Sequence, residues 1–280
     1  MKKLILILSI LILGCETKTP QNNQWTFDDS GGTYIQWAGD NSIANEMLHH
    51  AMKHMYNVEN EKSMTFFEKV LEYDPTLFGP HVVLAGFSVE GSDKQKMHIE
   101  KAKELVLDNN ETSKIFVSML DLPRGGNWPL VTEGAHDLWS KMRELEPKGK
   151  LIHYYYAFTN PDENLRIREM ESLLSEIKDQ NGDPNSLPIS GDHSYMIPSI
   201  TNTLGYFYYG IGEKDKAKNL FDQYLDLYKG YNAYDSMGEF YFNEGDIKNA
   251  LKYYQKAIEM YPPASSANSM IARIDELNQD

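Results

Sequence analysis

The chain of 280 residues is short of cysteine and of positive charge. Its single cysteine, Cys15, cannot form an internal disulfide. Only 27 lysines and arginines stand against 41 aspartates and glutamates, which leaves a formal net charge of −14. Nucleic-acid binding needs a basic surface that releases counterions, so we expect no nucleic-acid partner. The same charge disfavours electrostatic docking on anionic lipid.

Motifs of the common enzyme classes are also missing. The sequence contains no G-x-S-x-G and no H-E-x-x-H pattern. The stretch DLPRGGNWP (121–129) has two glycines but lacks the lysine-serine or lysine-threonine pair that ends a phosphate-binding loop. We therefore interpret it as a turn between helices. The prediction is a protein that is not an enzyme, with no catalytic residue and no cofactor.

Long hydrophobic runs are limited to the first residues. Lys2 and Lys3 precede an apolar run of ten residues, Leu4 to Leu13. As a helix this run spans roughly 15 Å, about half of a bilayer core, which is typical of a signal peptide and too short for a membrane span. The polar stretch from Glu16 to Gln24 is typical of a flexible tether.

The end of the apolar run, Ile12-Leu13-Gly14-Cys15, resembles a bacterial lipobox. The resemblance implies that residues 1–14 are removed and that Cys15 carries lipid, which leaves a charge of −16 because two lysines are lost. Several acyl chains anchor a protein firmly. We expect a lipid-anchored protein of the bacterial cell envelope, and we favour the periplasmic face of the outer membrane over the inner membrane.

Residues near the C-terminus recur at an offset of 33. Leu204-Gly205 matches Met237-Gly238, Tyr208 matches Tyr241, Ala217 matches Ala250, and Phe221 matches Tyr254. Self-similarity at this period is typical of a helical solenoid. The small residues fall where two helices of a hairpin must approach closely, while NEGD (243–246) predicts a turn with Asp246 capping the second helix. Pro262 and Pro263 should end that helix.

This pattern resembles the tetratricopeptide repeat. Two earlier sets share its second-helix spacing: Ser63, Phe67, Val70 and Pro75, then Ala135, Trp139, Met142 and Pro147. The resemblance implies an all-α fold, an α-solenoid of about six helical hairpins with a C-terminal capping helix near residues 266–278. We divide the chain into a signal peptide (1–14), a tether and N-terminal extension (15–43), and a helical repeat domain (44–280). We expect Trp25 and Trp37 to pack on the first hairpin.

The family binds ligands in a concave groove lined by the first helix of each hairpin. Carried onto the last two repeats, its ligand-facing positions are Ser199, Asn202, Tyr206, Tyr209, Asn232, Asp235, Glu239 and Phe242. None is lysine or arginine, so a groove that grips carboxylates is disfavoured. Asp235 and Glu239 lie four apart and favour a cationic partner. We predict a noncovalent scaffold or complex subunit that binds a basic or polar protein or peptide.

Two alternative functions and one irregular segment complete the sequence analysis. The segment EMLHHAMKHMYN (46–57) places His50 and His54 four apart, as two metal ligands can be, and a copper- or zinc-handling lipoprotein is one alternative. The repeat register instead makes these residues packing groups, and we predict no metal site. The chain as an accessory subunit of an envelope enzyme is the other alternative. The segment 179–195 breaks the period, and we interpret it as a disordered insertion.

Overall fold

The computed structural model describes residues 34–124, 128–185, 187 and 193–277. Over these residues the chain forms thirteen α-helices and no strand, which confirms the all-α prediction. The helices are α1 Ser42–Tyr56, α2 Asn60–Tyr73, α3 Phe78–Phe87, α4 Asp93–Leu105, α5 Glu111–Ser118, α6 Ala135–Leu145, α7 Lys150–Thr159, α8 Glu163–Lys178, α9 Ile197–Gly210, α10 Lys214–Leu227, α11 Tyr231–Asn243, α12 Ile247–Met260 and α13 Ser265–Leu277.

Consecutive helices pair into six hairpins, from α1–α2 to α11–α12, as the sequence pattern predicts. The 33-residue period has a direct steric cause. A Cβ atom at Gly205 would lie 2.8 Å from Phe221, and one at Gly238 would lie 2.8 Å from Tyr254. Both glycines therefore allow a first helix to approach the aromatic ring of its second helix. In the first hairpin Ala51 takes the small position on the first helix, and its carbonyl accepts a hydrogen bond from the Ser63 hydroxyl on α2 at 3.1 Å.

Glycine also occupies the turn between the two helices of several hairpins. Gly91, Gly212 and Gly245 each lie two residues before the second helix and have φ between +75° and +85°. This left-handed conformation is easy for glycine and rare for residues with a Cβ atom. The first hairpin departs from the pattern, because Val58 occupies the equivalent position with φ +57°. A β-branched residue there is a backbone outlier.

The C-terminal helix closes the last hairpin. Asp246 caps α12 through a hydrogen bond from the Asn249 amide at 3.1 Å, and α12 ends at Met260, before Pro262. Helix α13 then buries Ala267 and Ile274 against the apolar face of α12. Its remaining surface is mostly polar, so α13 is the predicted capping helix.

The N-terminal extension packs deeper in the array than predicted. Trp37 is buried, 5.0 Å from the ring of Phe116 on α5, and a Cβ atom at Gly79 on α3 would meet it at 2.3 Å. The ring thus lies between the second and third hairpins rather than on the first hairpin alone, because Gly79 leaves room for it there. Trp25, Cys15, the signal peptide and the tether lie outside the described residues.

The solenoid winds tightly enough for its ends to meet. The backbone amide of Tyr231, at the start of α11, donates to Glu59 at 2.8 Å, and the Tyr231 hydroxyl donates to Glu61 at 2.5 Å. Glu61 also accepts the Ser265 amide at 3.0 Å, at the start of α13. An open groove along the inner surface was the expectation. Instead the turn after α1 and the start of α2, together residues 57–61, cross it and divide it.

Segment 179–195 is packed where it is described, which differs from the expected disordered insertion. Asn185 donates to the Leu227 carbonyl at 2.7 Å and accepts from Lys53 through its own carbonyl. Tyr195 is buried, with its ring centroid 5.5 Å from that of Tyr56. The segment thus joins the first and fifth hairpins. Among the described helices, none is both long enough and apolar enough to span a bilayer.

Candidate functional site: two cavities on the inner surface

Two cavities lie on the inner surface, one on each side of residues 57–61, which are the turn after α1 and the start of α2. Val58 and Asn60 line both cavities and so form their common wall. Most of the other lining residues come from first helices and their turns, while the second helices α4, α6, α8, α10 and α12 contribute none. Both cavities therefore lie on the side of the solenoid that the first helices form.

The first cavity, called here the aromatic cavity, has a volume of about 580 Å³. This volume lies within the range of small-ligand pockets. Six aromatic side chains from α1, α3, α7 and the segment after α5 line it, namely Tyr56, Phe87, Trp128, Tyr154, Tyr155 and Phe158. Arg124 also lines it and donates to the Ala85 and Gly86 carbonyls at 3.2 and 2.7 Å.

The walls of the aromatic cavity depend on close packing around Trp128. The indole lies 4.7 Å from the ring of Phe87 and covers Gly86, where a Cβ atom would come within 2.1 Å of it. Behind it, Trp139 stacks on Tyr155 at 4.7 Å and donates to the Leu130 carbonyl at 2.7 Å. Trp128 belongs to the stretch 121–129, which the sequence analysis interprets only as a turn between helices. In the structure, this residue forms part of the cavity wall.

Sequence reasoning did not predict this cavity. Its signal is the run YYYAF, residues 154–158, which places four aromatic rings within five residues of α7. Tyr154 and Tyr155 are nearly buried, and their edge-to-face contact at 5.2 Å fixes the cavity floor.

The second cavity, called here the acidic cavity, has a volume of about 260 Å³. Three carboxylates line it: Glu61 from α2, and Asp235 and Glu239 from α11. Burial opposes ionisation of Glu61, but hydrogen bonds from Ser265 and Tyr231 outweigh it and lower the pKa of Glu61. Glu239 accepts the Tyr206 hydroxyl at 2.6 Å. None of the described residues that line this cavity is a lysine or an arginine.

Two acceptor atoms of the acidic cavity have no donor among the described residues. They are Oδ1 of Asp235 and Oδ1 of Asn202, on side chains 7% and 4% exposed. Burial raises the pKa of Asp235 to about 6; a hydrogen bond from the Ser266 side chain to the carboxylate opposes the rise, and the charges of Glu239 and Glu61 add to it. Buried acceptors normally have donors, so two buried acceptors without a donor at one cavity are unusual.

The eight predicted partner-binding residues separate into two groups. Asn202, Tyr206, Asn232, Asp235 and Glu239 line the acidic cavity. The other three lie elsewhere. Ser199 is buried 3.5 Å from the Tyr154 hydroxyl, Tyr209 donates to Glu244 at 2.8 Å, and the ring of Phe242 lies 5.3 Å below Arg273. The repeat register thus brings five of the eight together.

Glu59 holds the dividing turn in place. Its side chain is fully buried and accepts from His54 at 2.7 Å, from Lys62 at 3.0 Å and from the Tyr231 amide at 2.8 Å. Burial raises the pKa of Glu59, but the contacts with His54 and Lys62 outweigh it and lower that pKa overall. This carboxylate therefore links the first hairpin to the sixth.

The His/Met-rich helix α1 uses its imidazoles in packing. His50 and His54 stack on Phe66 of α2 at 5.0 and 5.6 Å. His54 also contacts Glu59, as described above. Within the described ranges no group of three or more His, Cys, Asp or Glu side chains is placed to hold a metal ion.

Comparison with known proteins supports the repeat assignment. The family model of the tetratricopeptide repeat matches residues 231–263, which confirms the resemblance seen in the last hairpin. No curated protein matches the chain significantly.

Solved structures of similar fold include TTC0263, a thermophilic TPR protein in Thermus thermophilus. It has 18% sequence identity and a TM-score of 0.38, and the match covers 82% of this chain and 98% of that chain. Another is PilW, a widely conserved type IV pilus biogenesis factor. It has 13% identity and a TM-score of 0.37, and the match covers 82% of this chain and 99% of that chain.

Proposed function

Because this chain is an α-solenoid that carries a tetratricopeptide repeat, and such repeats generally mediate protein–protein interaction, we propose that it is a noncovalent scaffold at the bacterial cell envelope. It binds an extended segment of a partner protein on its inner surface. The work it performs is recognition and positioning, with no covalent step.

One observation carries this proposal: the inner surface holds two cavities of opposite character that share the wall Val58–Asn60. An extended segment presents successive side chains to such a surface. An apolar or aromatic side chain fits the aromatic cavity, where rigid rings provide contact area at low entropic cost. A polar or basic side chain fits the acidic cavity next to it.

Membrane anchoring through Cys15 is the second part of the proposal. The lipobox-like Ile12-Leu13-Gly14-Cys15 and the polar tether that follows support it. An anchor confines the scaffold to a surface and raises its effective concentration near membrane partners without adding contacts. We place it on the periplasmic face of the outer membrane.

Crosslinked pull-down from isolated membranes, followed by mass spectrometry, tests the proposal. The wild-type chain should recover a partner that is lost when Tyr206→Ala and Glu239→Ala are combined, because both side chains line the acidic cavity. Asp226→Asn on the exposed surface of α10 is a control for altered charge and should keep the partner. If recovery survives the double variant but fails with His50→Ala, the binding surface lies on the first hairpin and the proposal is wrong.

Fractionation tests the anchor. The wild-type chain should stay with membranes after a high-salt wash, and Cys15→Ser should release it. A wild-type chain that washes off membranes would contradict the lipid anchor.

A further inference from the structure

We infer that the acidic cavity binds one ammonium or guanidinium group, carried by a lysine or arginine side chain of the partner segment. This inference rests on the proposed function and specifies the chemistry of its partner. It concerns the groups that face the cavity from α2, α9, α11 and α13: Glu61, Asn202, Tyr206, Asp235, Glu239, Ser265 and Ser266.

Among the described residues that line this cavity, the two buried side-chain atoms without a partner are both hydrogen-bond acceptors. Oδ1 of Asp235 and Oδ1 of Asn202 are buried without a donor, and Glu239 adds a second carboxylate one helical turn from Asp235. A buried acceptor that lacks a partner is destabilising, and a buried carboxylate without a counter-ion is more so. The group that satisfies this set must donate several hydrogen bonds and carry positive charge. Ammonium and guanidinium are the protein groups with both properties.

Neighbouring cations of the chain are already engaged outside the cavity. Lys62 contacts Glu59 at 3.0 Å and lies over the rings of Tyr231 and Tyr261 at 5.0 and 4.8 Å. Arg273 lies over the ring of Phe242. Neither residue lines the acidic cavity. The positive charge that complements Asp235 therefore comes from a ligand.

The size and position of the cavity favour a side chain over a free amine. Its volume of about 260 Å³ is too small for a folded partner and suits the end of one side chain. The shared wall Val58–Asn60 places it directly beside the larger aromatic cavity. A residue in the acidic cavity can thus belong to the segment whose neighbouring residues occupy the aromatic cavity.

Val58 gives independent support. It holds φ +57° where three other hairpins have glycine, its side chain is 50% exposed, and it lines both cavities. Backbone strain of this kind concentrates at functional sites. The side chain contributes little to the core, and its exposed part can contact a ligand on either side of the wall.

Peptide selection tests the inference. The probe is a displayed library of random heptapeptides, selected on the full chain with Cys15→Ser and followed by calorimetry on synthetic peptides. Enriched peptides should share a lysine or an arginine. Replacing that residue by norleucine, or replacing Asp235 by Asn, should each weaken Kd at least about tenfold, because each change leaves a buried charge unpaired. Asp226→Asn should change Kd less than about twofold, since exposed charges contribute little.

Two further measurements distinguish a peptide side chain from a free amine as the ligand, and test whether the Asp235→Asn variant is folded. n-Butylammonium and cadaverine, titrated alone, should bind far more weakly than the peptide; comparable affinity would assign the cavity to a free amine and overturn the peptide source. Melting curves without ligand should show Asp235→Asn folded and no less stable than wild type. Enriched peptides without a cation, or an unchanged Kd for Asp235→Asn, would overturn the inference itself.

Failure of this inference and failure of the scaffold are distinguishable. If pull-down from membranes recovers a partner, and this recovery requires Trp128 and Tyr155 but not Asp235, the scaffold proposal is supported and the cation site is contradicted. If basic peptides bind through Asp235 but pull-down from membranes recovers no partner, the cation site is supported and the scaffold proposal is contradicted.

Discussion

The two cavities differ in how the sequence builds them. The acidic cavity draws on α9 and α11, whose residues follow the 33-residue period, so the repeat register places its polar side chains at equivalent positions. The aromatic cavity adds to residues of α1 and α3 a wall from parts of the chain where the period is weak, namely the segment between α5 and α6 and helix α7. Regular repeats position a polar surface, and a departure from the repeat adds an apolar pocket beside it.

The two cavities also differ in how well their polar groups are satisfied. In the aromatic cavity Arg124 donates to two carbonyls, and its wall is held by stacked rings. In the acidic cavity Asp235 and Asn202 keep acceptors without donors. The polar groups of the aromatic cavity are therefore satisfied within the fold. In the acidic cavity, the two buried acceptors without donors destabilise the folded chain, and we expect a ligand that donates hydrogen bonds to remove this cost. Four substitutions test this contrast, beginning with the common wall.

Glu59→Ala should have the largest effect. It removes a fully buried carboxylate that joins His54, Lys62 and the Tyr231 amide, so we expect a loss of about 3–5 kcal/mol in the free energy of unfolding. Urea unfolding followed by circular dichroism measures it. The paired control Glu213→Ala removes an exposed carboxylate just before α10 and should change stability by less than about 0.5 kcal/mol.

The pH dependence of the same group has a defined sign. The pKa of Glu59 is lower in the folded chain than its ordinary value, so its contribution is present at neutral pH and is lost as the pH falls through the acid range. Glu59→Ala should therefore reduce the loss of stability between pH 6 and about pH 3. An equal acid sensitivity in the variant would show that Glu59 does not link the two ends of the solenoid.

Gly86→Ala should damage the aromatic cavity alone. The new Cβ atom would meet the body of the Trp128 ring at 2.1 Å, which requires the indole to move and should cost about 1–3 kcal/mol. Gly210→Ala is the matched control, because a Cβ atom there meets nothing within 4 Å and should be neutral or stabilising by up to about 1 kcal/mol. Equal effects of the two substitutions would contradict the described packing of Trp128.

Asp235→Asn should raise stability at pH 7. Burial raises the pKa of Asp235 to about 6, so the ionised carboxylate destabilises the folded chain above that pH, and its removal should gain about 1–3 kcal/mol. In wild type, stability from this group falls as the pH rises from about 4 to about 6 and is level above; the variant should lack that slope.

Other titrating groups face Asp235 and stay in both proteins. Glu61 faces it from α2, Glu239 lies on its own helix, Tyr206 reaches in from α9, and Tyr254 lies behind it on α12. The difference between variant and wild type across pH therefore isolates Asp235. A destabilised Asp235→Asn variant at pH 7 would mean that partners within the fold, such as the Ser266 hydroxyl, stabilise the carboxylate by more than burial destabilises it.

Val58→Gly should have the smallest effect, a gain of about 1 kcal/mol. It restores the glycine found at φ +75° to +85° in three other turns and removes a side chain that is half exposed. Thermal unfolding measures the gain, and Val89→Gly at an exposed position with ordinary backbone should show none. A destabilised Val58→Gly would assign the valine to packing instead of ligand contact.

Much of the fold was predictable because its determinants are local and periodic. Gly205 and Gly238 recur at the points where helices approach closely, and Asp246 and Pro262 bracket α12. Five of the eight predicted binding residues line one cavity for the same reason: the register fixes which side of a first helix faces inward.

What could not be predicted depends on contacts between distant parts of the chain. Glu59 and Tyr231 are 172 residues apart, and no local pattern indicates that they meet. The winding that joins them divides the inner surface into two cavities, and packing of α9 on α7 buries Ser199 beside the Tyr154 hydroxyl. Trp128 likewise gains its role only through Gly86 of another hairpin.

Site-specific photocrosslinking in living cells tests the central claim most directly. A photoreactive phenylalanine analogue would replace Val89 at the aromatic cavity, Ser266 at the acidic cavity, and the exposed Met97 and Met260 on the second helices α4 and α12. The account predicts adducts of one and the same partner from Val89 and Ser266, and none from Met97 or Met260. Adducts confined to Met97 and Met260 would contradict it, because the binding surface would then be the outer face.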